Sequence, residues 1–218
     1  MHMVKAGVME DIYAHNNHIA EHVREYLNKR GIYTVNVMGA PGTGKTTSLE
    51  QLMKYMKKVY VIEGDIESDL DTERLRKENI TAAQVNTFGA CHLDAPLVHN
   101  AVHAMDFKEK GILFIENVGN LVCPAELNIG ENIKMLIVSV TDGSDKPYKY
   151  PLAFEKADMI LLNKIDLALY LDFDEEFFMK GLRHLNKKAP VFKVSGKTGE
   201  GYKEAAEWIE NHRELKES

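Results

Sequence analysis

No run of the 218-residue sequence is apolar for long enough to span a bilayer, which excludes a membrane-crossing helix. Cysteine is scarce: Cys91 and Cys123 are the whole complement. Two are too few for a small disulfide-stapled scaffold, and in a reducing compartment such a pair reads as a metal or redox site. Net positive charge is also missing. The formal charge of −6 excludes a broad electrostatic footprint for nucleic acid or anionic lipid, so any phosphate recognition must come from a dedicated local site. No Pro/Gly/Ser-rich linker, charge block, repeat or low-complexity tract divides the chain, and one globular unit is expected at this length. The Met-His-Met-Val-Lys start turns polar without the apolar stretch of a secretory signal, so a cytoplasmic location is the expectation.

What is present is an alternation of strands and helices. Apolar Ile12, Ile19, Val23, Tyr26 and Leu27 recur at helical spacing between Glu10 and Arg30, ahead of the helix-terminating Gly31. Residues 1–30 are therefore read as an N-terminal helix and 31–218 as the main domain. Strands are expected at Tyr33–Met38, Val59–Glu63, Thr81–Val85, Ile112–Glu116, Met135–Val140, Met159–Asn163 and Val191–Val194. Several are continuous apolar runs, as parallel strands buried on both faces should be. A three-layer α/β domain with a mainly parallel sheet follows.

The segment Gly39-Ala40-Pro41-Gly42-Thr43-Gly44-Lys45-Thr46 fits the eight-position P-loop pattern, between a predicted strand and a helix over Lys45–Met56. Its backbone N–H groups would curl around phosphates, Lys45 would add positive charge at the β/γ positions, and Thr46, followed by Thr47, would place a hydroxyl on Mg²⁺. Base choice comes from Asn163-Lys164-Ile165-Asp166, at the C-terminal end of a predicted strand. A carboxylate at Asp166 accepts from guanine N1–H and the 2-amino group, whereas adenine would leave it desolvated and unpaired, a penalty on the order of 10⁴-fold. Ser195-Gly196-Lys197 is a weaker candidate for the last base-binding loop. Asp65 and Glu116, near strand ends, are the favoured carboxylates for Mg²⁺, with Glu63, Asp69 and Asp71 as competitors. Asp65 is alternatively the group that positions the attacking water. No glutamine follows Glu116 as far as Gly119, and no arginine is placed as a finger, so slow intrinsic GTP hydrolysis is expected.

Cys91-His92 and Cys123 supply two thiolates and an imidazole, borderline-soft ligands suited to Zn²⁺ or Ni²⁺. Three ligands leave a position open for water, His99, His103 or a residue of a second subunit. Buried cysteines acting as small hydrophobes beside a surface histidine are the bland alternative.

Two strings tip that balance. Cys91-His92-Leu93-Asp94-Ala95 and Glu116-Asn117-Val118-Gly119-Asn120-Leu121-Val122-Cys123-Pro124 resemble the HypB family of hydrogenase nickel-incorporation GTPases, from about Gly31 to the C-terminus. The resemblance implies GTP-driven homodimerisation and a metal site at the dimer interface built from Cys91, His92 and Cys123. It also implies nickel delivery to a hydrogenase large-subunit precursor, with a small zinc-containing nickel chaperone as a further partner. The sequence departs from some members by lacking an N-terminal cysteine-rich motif or histidine tract; His15, His18 and His22 share one helix face instead. A urease-type nickel GTPase would place a proline between cysteine and histidine, which adjacent Cys91-His92 disfavours. A metal scaffold using GTP structurally is the reading from another class. A partitioning-type ATPase conflicts with Asp166 and with Ala40, where a second lysine usually stands.

Overall fold

A computed structural model describes residues 2–65, 81–87 and 89–217. In chain order the elements are α1 (His2–Asn28), β1 (Ile32–Gly39), α2 (Lys45–Met53), β2 (Val59–Asp65), β3 (Thr81–Asn86) and α3 (Ala95–Ala104). Then come β4 (Gly111–Glu116), α4 (Cys123–Glu126), β5 (Ile133–Ser139), α5 (Lys146–Lys149) and α6 (Pro151–Lys156). The chain ends with β6 (Met159–Asn163), α7 (Glu175–Leu185), β7 (Val191–Lys193) and α8 (Tyr202–Glu217).

The seven strands form one sheet in the order β3-β2-β4-β1-β5-β6-β7, and every neighbouring pair is parallel. Strand alternation sorts the core into two faces. On one face Val35, Val37, Ile112, Phe114, Met135 and Leu161 pack against Leu49 and Leu52 of α2 and Tyr202 and Ile209 of α8. On the other, Ile62, Leu113 and Ile115 meet Val23 and Leu27 of α1 and Val98 and Val102 of α3. Farther along that second face, Leu136, Val138, Ile160 and Leu162 meet Phe154 of α6 and Phe178 of α7. Helices on both faces explain why all eight residues of β1 are buried and why its sequence is not amphipathic. The fold is a three-layer α/β P-loop NTPase.

Helix α1 begins at His2 rather than Glu10, since no proline interrupts the first turns. It closes with tight bonds, Arg30 N–H to Leu27 O at 3.0 Å and Gly31 N–H to Asn28 O at 2.9 Å, before Gly31 takes φ +67°. Helix α2 stops at Met53, short of Met56. Residues 54–56 continue it as i→i+3 turns, with Tyr55 N–H on Leu52 O at 3.0 Å. No helix among the described residues is long and apolar enough to cross a membrane.

Candidate nucleotide and metal sites

The C-terminal ends of the parallel strands gather the chemistry-bearing loops. β1 ends at Gly39, where an added Cβ would meet Ile137 O at 2.6 Å, so only glycine lets the loop leave the sheet there. Gly42 and Gly44 take φ +77° and +89°, turning the loop before Lys45 starts α2. Thr43 is buried and its hydroxyl donates to Ala40 O at 3.0 Å, while Pro41 is exposed at the loop tip.

The loop after β6 is tied directly to this one. Asn163 donates from Nδ2 to Thr43 O at 2.8 Å, and its Oδ1 accepts from Gly196 N–H at 3.1 Å and Lys164 N–H at 2.7 Å. Lys164, with φ +60°, reaches over the P-loop and donates from Nζ to Gly42 O at 2.6 Å. Asp166 is half-buried, and Ser195 donates its hydroxyl to Asp166 Oδ1 at 2.6 Å. Gly196 lies so near Thr47 that a Cβ would meet Thr47 Cγ2 at 2.9 Å, and Lys197 is exposed beside it.

Three residues in this network carry no sequence signal. Tyr202 of α8 is fully buried, shares a 2.8 Å hydrogen bond with the Ser48 hydroxyl and donates to Asn163 Oδ1 at 3.3 Å. Burial pushes the Tyr202 phenol up to about 12, and the Ser48 hydrogen bond only partly opposes it. Gln51 donates to Gly196 O at 2.8 Å. All three act by joining segments distant in sequence, which no local pattern announces.

At the phosphate end, Thr46 donates its hydroxyl to Glu116 Oε1 at 3.0 Å. Glu63 is buried, and its Cα pairs in register with that of Glu116 across β2 and β4. A threonine hydroxyl beside a strand-end carboxylate is an all-oxygen donor set, which fits Mg²⁺. Asp65 closes β2, but its side chain lies outside the described residues, as do Asp69 and Asp71 entirely.

The cysteines and His92 come together although 32 positions separate Cys91 from Cys123. Cys91, His92 and Cys123 offer ligand atoms all within 4.8 Å of one another. The two sulfurs are 3.1 Å apart, and Cys91 Sγ is 3.4 Å from His92 Nδ1. The Cys91 neighbour and partial burial raise the Cys123 thiol above its ordinary value, while Asn120 pulls it back down. A metal entering here must displace a thiol proton. Cys91 is exposed and the other two are half-buried, so the cluster is open to an incoming ion or partner. His99 and His103 are engaged elsewhere: His103 stacks on Tyr26 and on His99, each with centroids 4.2 Å apart.

One segment joins the two sites. It starts at Glu116, which holds Thr46, and ends at Cys123, the first residue of α4. Midway, Gly119 packs on Pro41 so closely that a Cβ would meet Pro41 Cγ at 2.9 Å. Asn120 forms a β-bridge to Gly39, donates from Nδ2 to Cys91 O at 3.3 Å and accepts Val122 N–H at 2.8 Å. Asn117 accepts Leu93 N–H at 2.9 Å, pinning the chain just after His92. The phosphate loop and both halves of the cysteine/histidine cluster thus share one short, glycine-containing strap.

Comparisons with known proteins agree with this geometry. The family model described as CobW/HypB/UreG, nucleotide-binding domain, matches residues 33–193. The hydrogenase maturation factor HypB of Azotobacter vinelandii is 43% identical over 209 residues, spanning 94% of this chain and 69% of that protein. The probable hydrogenase maturation factor HypB of Methanocaldococcus jannaschii is 38% identical over 214 residues, 96% of this chain and 97% of that one. The crystal structure of HypB from Helicobacter pylori in complex with nickel superposes with a TM-score of 0.88 at 34% identity, covering 92% of this chain and 96% of that chain.

Proposed function

The chain belongs to the CobW/HypB/UreG family, among the HypB hydrogenase maturation factors, and from that premise we propose that it is a GTP-hydrolysing metallochaperone delivering nickel to a hydrogenase large-subunit precursor. The observation that carries the reading is the strap from Glu116 to Cys123, which runs from the phosphate site to a metal ligand and touches the P-loop on the way.

In this reading the guanine edge lies against Asp166, held by Ser195, and Lys164 covers the base. Backbone N–H groups of residues 39–46 and the Lys45 ammonium cradle the β- and γ-phosphates. Thr46 and Glu116 would hold Mg²⁺, with Asp65 as a further ligand or as the group that orients water. When bound, Mg²⁺ supplies positive charge to the phosphate oxygens. Water attacks the γ-phosphorus in line and the bond to the β–γ bridging oxygen breaks, giving GDP and phosphate. With no glutamine from Glu116 to Gly119 to orient water, turnover is slow, as suits a switch.

Nickel is the cargo, held by Cys91, His92 and Cys123, and zinc competes for the same ligands. The cluster's exposure and its open coordination position suit a two-fold homodimer in which a second copy completes the site on GTP binding. A nickel chaperone is the expected donor.

A direct test uses Cys123→Ser. The variant should lose nickel binding at the cluster while retaining GTP affinity, and should fail to restore nickel to hydrogenase in cells lacking their own maturation GTPase. Restoration at the wild-type level would remove the cysteine cluster from the delivery step.

A further inference from the structure

The nucleotide and cysteine sites leave the outer face of α1 unaccounted for. Asn16, Ala20, Val23 and Leu27 form its buried stripe. At about 100° per residue, His15, His18 and His22 fall within about 60° of one another on the opposite side, and all three are exposed. Nε2 of His18 and Nε2 of His22 lie 3.2 Å apart, with the rings edge to face and centroids 4.6 Å apart.

That separation decides what the pair can hold. Two imidazole nitrogens, each about 2.0–2.1 Å from one metal ion, sit about 3.0 Å apart at a right angle and about 3.4 Å apart at the tetrahedral angle. The observed 3.2 Å lies between the two, so an ion could enter once the rings turn their Nε2 lone pairs from each other toward a common point, with the nitrogens already at chelating separation. Without metal the same geometry is a single N–H···N hydrogen bond. The helix fixes both backbones on neighbouring turns, so chelation orders only the two side chains. Imidazole nitrogen favours Ni²⁺, Cu²⁺ and Zn²⁺ over Mg²⁺ or Ca²⁺.

We propose that His18 and His22 form a second transition-metal site on the outer face of α1, with water completing the shell, separate from the Cys91/His92/Cys123 cluster. Its donors are on the surface and belong to an element that carries none of the nucleotide-binding residues, so occupancy is indifferent to nucleotide and does not rest on the delivery reading above.

The test is a titration of the full, untagged chain carrying Cys91→Ser and Cys123→Ser with Ni²⁺ alone, in a non-coordinating buffer, by calorimetry. One residual nickel per chain is expected. His18→Ala or His22→Ala added to that background should weaken it at least tenfold, and His15→Ala should leave it unchanged. Alanine is a better helix former than histidine, so these variants retain the fold, which circular dichroism checks. In the chain with intact cysteines, His22→Ala should leave GTP hydrolysis and nickel binding at the cysteine cluster unchanged. Failure of the double-cysteine variant to bind nickel, or residual binding that survives in His18→Ala/His22→Ala, overturns the proposal.

Discussion

At the scale of single residues, the proposed selection of guanine rests on a carboxylate that is itself held in place. Asp166 is positioned by the Ser195 hydroxyl at 2.6 Å, on a loop that Asn163 ties to Thr43. Asp166→Asn replaces an acceptor with a donor facing guanine's own donors. GTP affinity should fall about 100-fold, the scale of a lost charge-assisted pair, while affinity for xanthosine triphosphate rises because xanthine offers an acceptor at C2. Competition between the two nucleotides measures this. Tyr202 sits one layer behind. Burial raises its pKa from 10.0 to about 12, so the neutral phenol is favoured by the folded state. Its contribution to stability is therefore complete below about pH 10 and is lost as pH climbs toward about 12, because the unfolded chain ionises first. Urea midpoints of Tyr202→Phe should lie below wild type at neutral pH and fall less steeply across that alkaline window.

Among the elements, the strap between β4 and α4 is the one that touches the P-loop and ends in a thiol. Gly119→Ala puts a methyl 2.9 Å from Pro41 Cγ and 3.1 Å from Pro41 N, so the strap or the P-loop must shift. Overpacking of this kind costs about 1–3 kcal/mol. The loss should appear mainly as weaker nucleotide binding, about tenfold, with metal affinity altered too; nucleotide affinity at the wild-type value would show that the strap does not bear on the P-loop. Much of this was legible in the sequence. The P-loop and Asn-Lys-Ile-Asp announce themselves because phosphate and guanine recognition need particular residues at fixed local spacing. The central strands could be found because parallel strands buried on both faces read as apolar runs, whereas the edge strands β3 and β7 are only partly buried and were placed by the alternation of elements around them. Asn120, Ser48, Gln51 and Tyr202 were not legible as functional, since their roles exist only once β1, β6, α2 and α8 have packed. The C-terminal end of α2 shifted because its last turns tighten to i→i+3 bonds, a change that carries a weak sequence signal.

At the scale of the whole molecule, the proposed link between both sites through the strap would make nucleotide state and metal affinity two readings of one equilibrium. Linkage then requires bound metal to change GTP affinity by the same factor by which GTP changes metal affinity. A second copy closing over the exposed cluster would make that coupling larger and concentration-dependent. The measurement that tests this most directly is nickel affinity by competition titration in the GDP and GTPγS states, with oligomer size followed on the same samples. The account predicts that GTPγS drives dimerisation and shifts nickel affinity by about 5- to 150-fold, the usual range for coupled sites. Equal nickel affinity in the two states, with no change in oligomer size, would contradict it.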